Sequence, residues 1–209
     1  MTSTPSLSSP GKLLLIGSQE PLAENIIARL QNDGHDILAL ASDDTAALDA
    51  CLKSEPSWDA LVTLTPAARS QLDFLSIDDD AFNDALERQL LSVVRTAQQV
   101  LPHLRTGARI VHVGTRGHQG AWGGVHQMAA SAGLVAMTRS MALELQPDGI
   151  FVNMVATEFT HDRQDTPQNR EAVAHAVSML AAAHGGITGQ CMVIDGLASL
   201  RMGEARRPR

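Results

Sequence analysis

Six short apolar runs recur along this chain, with helix-patterned stretches between them. The runs are KLLLIG at 12–17, DILALA at 36–41, DALVTLT at 59–65, ARIVHV at 108–113, IFVNMV at 150–155 and QCMVI at 190–194. Runs this short and this continuous suit strands buried on both faces. Residues 22–31 space their apolar side chains as a helix does, and Asn32-Asp33-Gly34 stops them. Residues 43–53 predict a second helix, with Ser42 or Asp43 as its N-cap. Residues 78–104 predict one long helix behind the acidic cap Asp78-Asp79-Asp80, ending near Pro102. Helices over 126–145 and 166–183 complete the pattern. Strands alternating with helices at this spacing predict an α/β fold: a doubly wound parallel sheet of about six strands, helices on both faces.

Size and composition set the remaining bounds. At 209 residues and 44% hydrophobic, the chain has the size of one domain, able to bury roughly 70% of its unfolded surface. That domain is expected over 11–199. Residues 1–10 are Ser/Thr/Pro-rich, without a basic or apolar leader region, and are expected to be a flexible tail. Residues 200–209 carry four arginines and are expected to be a solvated basic tail. No apolar run approaches the roughly 20 residues of a membrane span. A net charge of −7 argues against a nucleic-acid partner. Cys51 and Cys191 form no close pair, which suits a reducing cytoplasm.

Candidate site residues gather after the fourth apolar run, at the ends of strands where α/β ligands bind. Thr115 opens the Gly-rich stretch 114–124, and His112, His118 and His126 lie around it. Their spacing matches no zinc motif, so no metal is expected. Gly17 suits a tight strand-to-helix turn with or without a ligand. Asp43 and Asp44 follow the second strand, where an acid can bind ribose or cap a helix. Asn153 is expected to bond backbone, and Cys191 to behave as a small apolar residue.

From 11 to 197 the order of fragments resembles the short-chain dehydrogenase/reductase family. The fragments are Gly11-Lys12, Val100-Leu101-Pro102-His103-Leu104, the stretch from Ala108 to Thr115, Ala132-Gly133-Leu134, Ser140-Met141-Ala142-Leu143-Glu144-Leu145, Gly149-Ile150-Phe151-Val152-Asn153, Ile187-Thr188-Gly189-Gln190 and Ile194-Asp195-Gly196. The resemblance implies a Rossmann-like fold. It also implies four catalytic positions, which fall on Thr115 for the family's serine, Gln127 for its tyrosine, Ser131 for its lysine and Gln89 for its asparagine. The chain contains no tyrosine at all. A glutamine amide can donate a hydrogen bond but does not titrate near neutrality. The family's glycine-rich cofactor loop reads here as Gly17-Ser18-Gln19-Glu20-Pro21-Leu22-Ala23, with only Gly17 kept. Pro21 removes an N–H that would donate to phosphate, and Glu20 brings a carboxylate that suits a helix N-terminus without a ligand. The family's Asn-Asn-Ala-Gly reads Thr63-Leu64-Thr65-Pro66, and its Pro-Gly on the nicotinamide side reads Thr157-Glu158.

Only 42–58 separate the second and third apolar runs, room for one helix. The family's third strand is therefore expected to be deleted, giving the order 2-1-3-4-5-6. The helix over 126–145 is small and apolar around most of its circumference. By resemblance it and the helix over 78–104 would meet a second subunit. These features lead to the expectation of a non-catalytic structural or regulatory subunit. It would bind no cofactor and would form a homo-oligomer, or a hetero-oligomer with an active family member. Two alternatives stand beside it. One is an NAD(P)-dependent oxidoreductase with altered machinery built on Thr115, Gln127 and His126. The other is a non-redox enzyme or small-ligand binder using the same cleft.

Overall fold

The computed structural model describes residues 11–55, 57–66, 72–121, 123–157, 165–182 and 186–196. The two expected tails, Trp122 and Glu158 lie outside these described residues. Six parallel strands form one sheet: β1 (Lys12–Ile16), β2 (Asp36–Leu40), β3 (Trp58–Leu64), β4 (Leu104–Thr115), β5 (Phe151–Thr157) and β6 (Cys191–Ile194). Their order is β2-β1-β3-β4-β5-β6, the expected one. The helices are α1 (Ala23–Asn32), α2 (Thr45–Ser54), α3 (Asp79–Leu86), α4 (Ser92–Val100), α5 (Val125–Glu144) and α6 (Pro167–Ala181). The architecture is a Rossmann-like doubly wound α/β fold.

Strand alternation divides the core into two layers. Leu13, Leu15, Val62, Val111, Val113 and Val155 pack with Ile26 and Leu30 of α1 and Val173 and Val177 of α6. Leu14, Ile16, Leu61, Ile110 and Val152 face the other way, onto Leu48 and Leu52 of α2, Val100 of α4 and Ala142 of α5. The four inner strands, β1, β3, β4 and β5, are buried on both faces, which is why their sequences are continuously apolar instead of alternating.

Three local features depart from expectation. The N-cap of α2 is Asp44, whose carboxylate accepts from the Ala47 N–H at 2.9 Å, one residue past Asp43. The long helix is not uniform: a π-helical segment, Glu87–Leu91, separates α3 from α4, and a single 3-10 turn, Leu101–His103, ends it. Pro102 supplies no N–H to extend that turn. Strand β4 begins at Leu104, four residues early, because Leu104 pairs with Trp58 before a register shift brings Arg109 opposite Ala60. The bulge is held at its base by Asp59, which accepts from the Lys12 N–H at 2.7 Å and pairs with Arg105 at 2.9 Å.

Candidate functional site

An open cleft lies at the carboxyl ends of β1, β3, β4 and β5, spanning about 640 Å³ with its solvent-open mouth included. It lies where the sheet order reverses, since β1 leads outward to β2 on one side and is flanked by β3 on the other. Such a switch point is where open α/β sheets bind ligands. Glu20, Pro21 and Leu22 of the β1–α1 loop form one wall. Thr65, Thr115 and Thr157, at the ends of three neighbouring strands, bring hydroxyls to it. Thr115 and Thr157 are partners in register, so their side chains stand side by side on one face. The Thr157 hydroxyl is buried and has no hydrogen-bond partner. Asp165 and Arg170, at the start of α6, close the far end.

The structure brings Thr115 to the cleft but does not place Gln127, Ser131 or Gln89 in its lining. Ser131 has a structural task. Its hydroxyl donates to the Thr115 carbonyl at 2.7 Å and accepts from the His118 N–H at 3.2 Å, fixing the 3-10 turn Arg116–Gln119 onto α5. Gln127 is buried on the first turn of α5, beside buried His126, whose Nδ1 lacks a partner. Gln89 is buried within the π-helical segment, a deviation that often marks functional positions.

The β1–α1 loop is built around close contact with β3. Gly17 has φ +106°, and a Cβ there would stand 2.7 Å from the Leu64 carbonyl oxygen. The loop's amides are largely engaged within the protein. The N–H groups of Gly17 and Ser18 donate to the Leu40 carbonyl, that of Glu20 to Gly17, and that of Ala23 to Glu20. The Gln19 side chain bonds Ser42 twice, through its Nε2 to the hydroxyl and its Oε1 from the backbone N–H, across the gap beyond β2. Thus the Glu20 backbone carbonyl accepts from the first residue of α1 at 2.9 Å.

The three histidines are dispersed. His112 is buried in β4, its Nδ1 at 2.8 Å from the Thr63 hydroxyl, and burial pushes it down to about 4. His118 lies in the 3-10 turn near Cys191 of β6, its Nε2 3.9 Å from Sγ, and burial lowers it too. Among the described residues no group of three or more His, Cys, Asp or Glu side chains is arranged to hold a metal. Asn153 bonds backbone: Nδ2 donates to the Ile187 carbonyl at 2.8 Å, and Oδ1 accepts from the Gln190 N–H at 3.1 Å. Asp165 and Arg170 escaped the sequence reading. The Thr166-Pro167 helix start was legible beside them, but where Arg170 points depends on α6 packing against α1.

The fold and the strand-end cleft define a Rossmann-type protein with an open cleft at its switch point. Residues 41–196 match the family model described as enoyl-(acyl carrier protein) reductase, and the chain belongs to the short-chain dehydrogenase/reductase family. It is 28% identical to the 3-oxoacyl-[acyl-carrier-protein] reductase FabG of Salmonella typhimurium, over 88% of this chain and 86% of that one. It is 30% identical to the FabG of Vibrio cholerae, over 72% and 70%. A short-chain dehydrogenase/reductase structure from Serratia marcescens superimposes with a TM-score of 0.75 at 25% identity, covering 88% of this chain and 95% of that one.

These relatives overturn the expectation of a non-catalytic subunit. Proteins named as reductases match the chain along most of its length, which counts against a non-catalytic role. Loss of a general acid costs about 10²–10⁴ in rate, but it removes neither the cleft nor the Thr115 hydroxyl. Among the described residues, no helix is long and apolar enough to cross a membrane.

Proposed function

We propose that this protein is an NAD(P)-dependent oxidoreductase that reduces a carbonyl compound with an altered active site. The observation that carries the reading is the Thr115 hydroxyl, set beside Thr157 in the cleft at the switch point. The nicotinamide end of the cofactor fits this corner, where the buried, unpartnered Thr157 hydroxyl can bond a polar group such as a carboxamide. The diphosphate end does not find the family's glycine loop, because those amides are engaged. When bound, the reduced nicotinamide supplies a hydride. Thr115 donates a hydrogen bond to the substrate oxygen and favours the charge that develops there. Gln127 can donate a hydrogen bond but release no proton. His126 lies on the same turn, outside the cleft lining, so solvent reaching the open cleft supplies the proton that completes the alcohol. The names of the relatives support a 3-oxoacyl thioester as the substrate class. The same reading carries a cytoplasmic homo-oligomer formed through the helical stretch 78–104 and α5, where Leu91 of the π-helical segment and Leu143 are exposed.

The test is NADPH or NADH oxidation in the presence of a 3-oxoacyl thioester. Thr115→Ala should lower kcat/KM by about 10²–10³-fold, and Thr115→Ser should restore most of it. Absence of turnover with either cofactor, or full activity in Thr115→Ala, would overturn the assignment.

A further inference from the structure

Arg170 is the one described cation lining the cleft, against two anions, Glu20 and Asp165. It stands in the first turn of α6, opposite the β1–α1 loop. Its Nη1 donates to the Pro21 carbonyl at 3.1 Å. Its Nε and Nη2 bond the two oxygens of Asp165, each at 2.5 Å. The guanidinium is therefore tied to the β1–α1 loop, and a carboxylate fills its two-pronged face. That face is what a carboxylate or a phosphate recognises. The pair is partly exposed, with about 30% of each side chain accessible, so exchange of one anion for another does not require opening the core.

We propose that Asp165 is a built-in stand-in for the cofactor's diphosphate: binding transfers Arg170 from the Asp165 carboxylate to the phosphate oxygens. The proposal rests on the nicotinamide-dependent reading above and deepens it, because Arg170 supplies the anion site that the engaged loop amides do not. The unpartnered Thr157 hydroxyl in the same cleft is an independent sign that a polar ligand belongs there. The charge count sets the direction. With Asp165 ionised, Glu20 in the lining and Glu24 acting on Arg170 through space, the cleft opposes a phosphate. Neutralising Asp165 frees Arg170 and removes one repelling charge together. Arg170→Ala removes the only attraction among the described residues of the lining.

The experiment is calorimetric titration of the full chain and its variants with NADPH and NADH, with circular dichroism to verify folding. Asp165→Asn should bind about 10-fold tighter than the wild type, and Arg170→Ala at least 10-fold weaker. Arg170→Lys, which keeps the charge but loses the fork, should fall between. Inorganic pyrophosphate should raise the melting temperature of Asp165→Asn more than that of the wild type and leave Arg170→Ala unmoved. Equal affinities across the variants, with only their melting temperatures lowered, would make the pair a plain tie between α6 and the β1–α1 loop and overturn the proposal alone. No binding by the wild type or by Asp165→Asn up to millimolar concentration would overturn both this proposal and the nicotinamide-dependent reading.

Discussion

Gly17 and Thr115 illustrate how differently single residues are constrained here. Gly17 combines a positive φ with a β3 carbonyl 2.7 Å from where a Cβ would stand. The strand below, and not a ligand, forbids a side chain. Gly17→Ala should therefore destabilise the fold by about 2–4 kcal/mol, measured as a lower denaturant midpoint, whether or not cofactor is present. Thr115 is the reverse case: its hydroxyl accepts one long bond, from the Gly117 N–H at 3.4 Å, so its loss should cost no more than about 1 kcal/mol. The glycine was legible in the sequence as a turn, and the threonine as a hydroxyl in the serine's position. Arg170 was not legible, because nothing in the i, i+5 spacing of Asp165 and Arg170 says that α6 aims them at the β1–α1 loop.

At the scale of elements, the apolar runs and helix patterns located every strand and helix to within a few residues, since burial on both faces leaves a continuous mark. Features that depend on distant partners left none. The early start of β4 follows from the Leu104–Trp58 pairing and the bulge beside Asp59. The π-helical turn at Glu87–Leu91 faces α5, where Leu90 presses on Gly133. Ser131 is a similar case. Met in the role of a lysine substitute by sequence position, it proves to be a peg between Thr115 and His118. Ser131→Ala leaves a polar backbone group without its partner and should cost about 1–3 kcal/mol. Hydrogen exchange at the His118 amide should quicken at the same time, which distinguishes a loosened turn from a general loss of stability.

For the whole molecule, acid is the informative stress. His112 is wholly buried and its second nitrogen, Nε2, has no partner, so burial holds its pKa near 4, below the ordinary 6.5. Between those values the unfolded chain binds a proton that the native chain refuses, and native stability falls as pH falls. The loss from this one group approaches about 3 kcal/mol at pH 4 and is fully avoided above 6.5. Melting curves recorded across this interval should show a steep acid limb that His112→Gln flattens. A limb unchanged in that variant would move the cause to other groups.

The sheet order carries a cost that concerns handling more than chemistry. Because the sheet stops at β2, a strand of inner-sheet character becomes its rim, and among the described strands only β1 pairs with it. Asp36 at its start and a partly exposed Leu38 at its middle are a thin guard for backbone groups that face outward from the last described strand. Such a row is a template on which another chain can grow. Crowding therefore threatens this protein first at that rim, and a shortened sheet trades a smaller fold for a greater tendency to self-template.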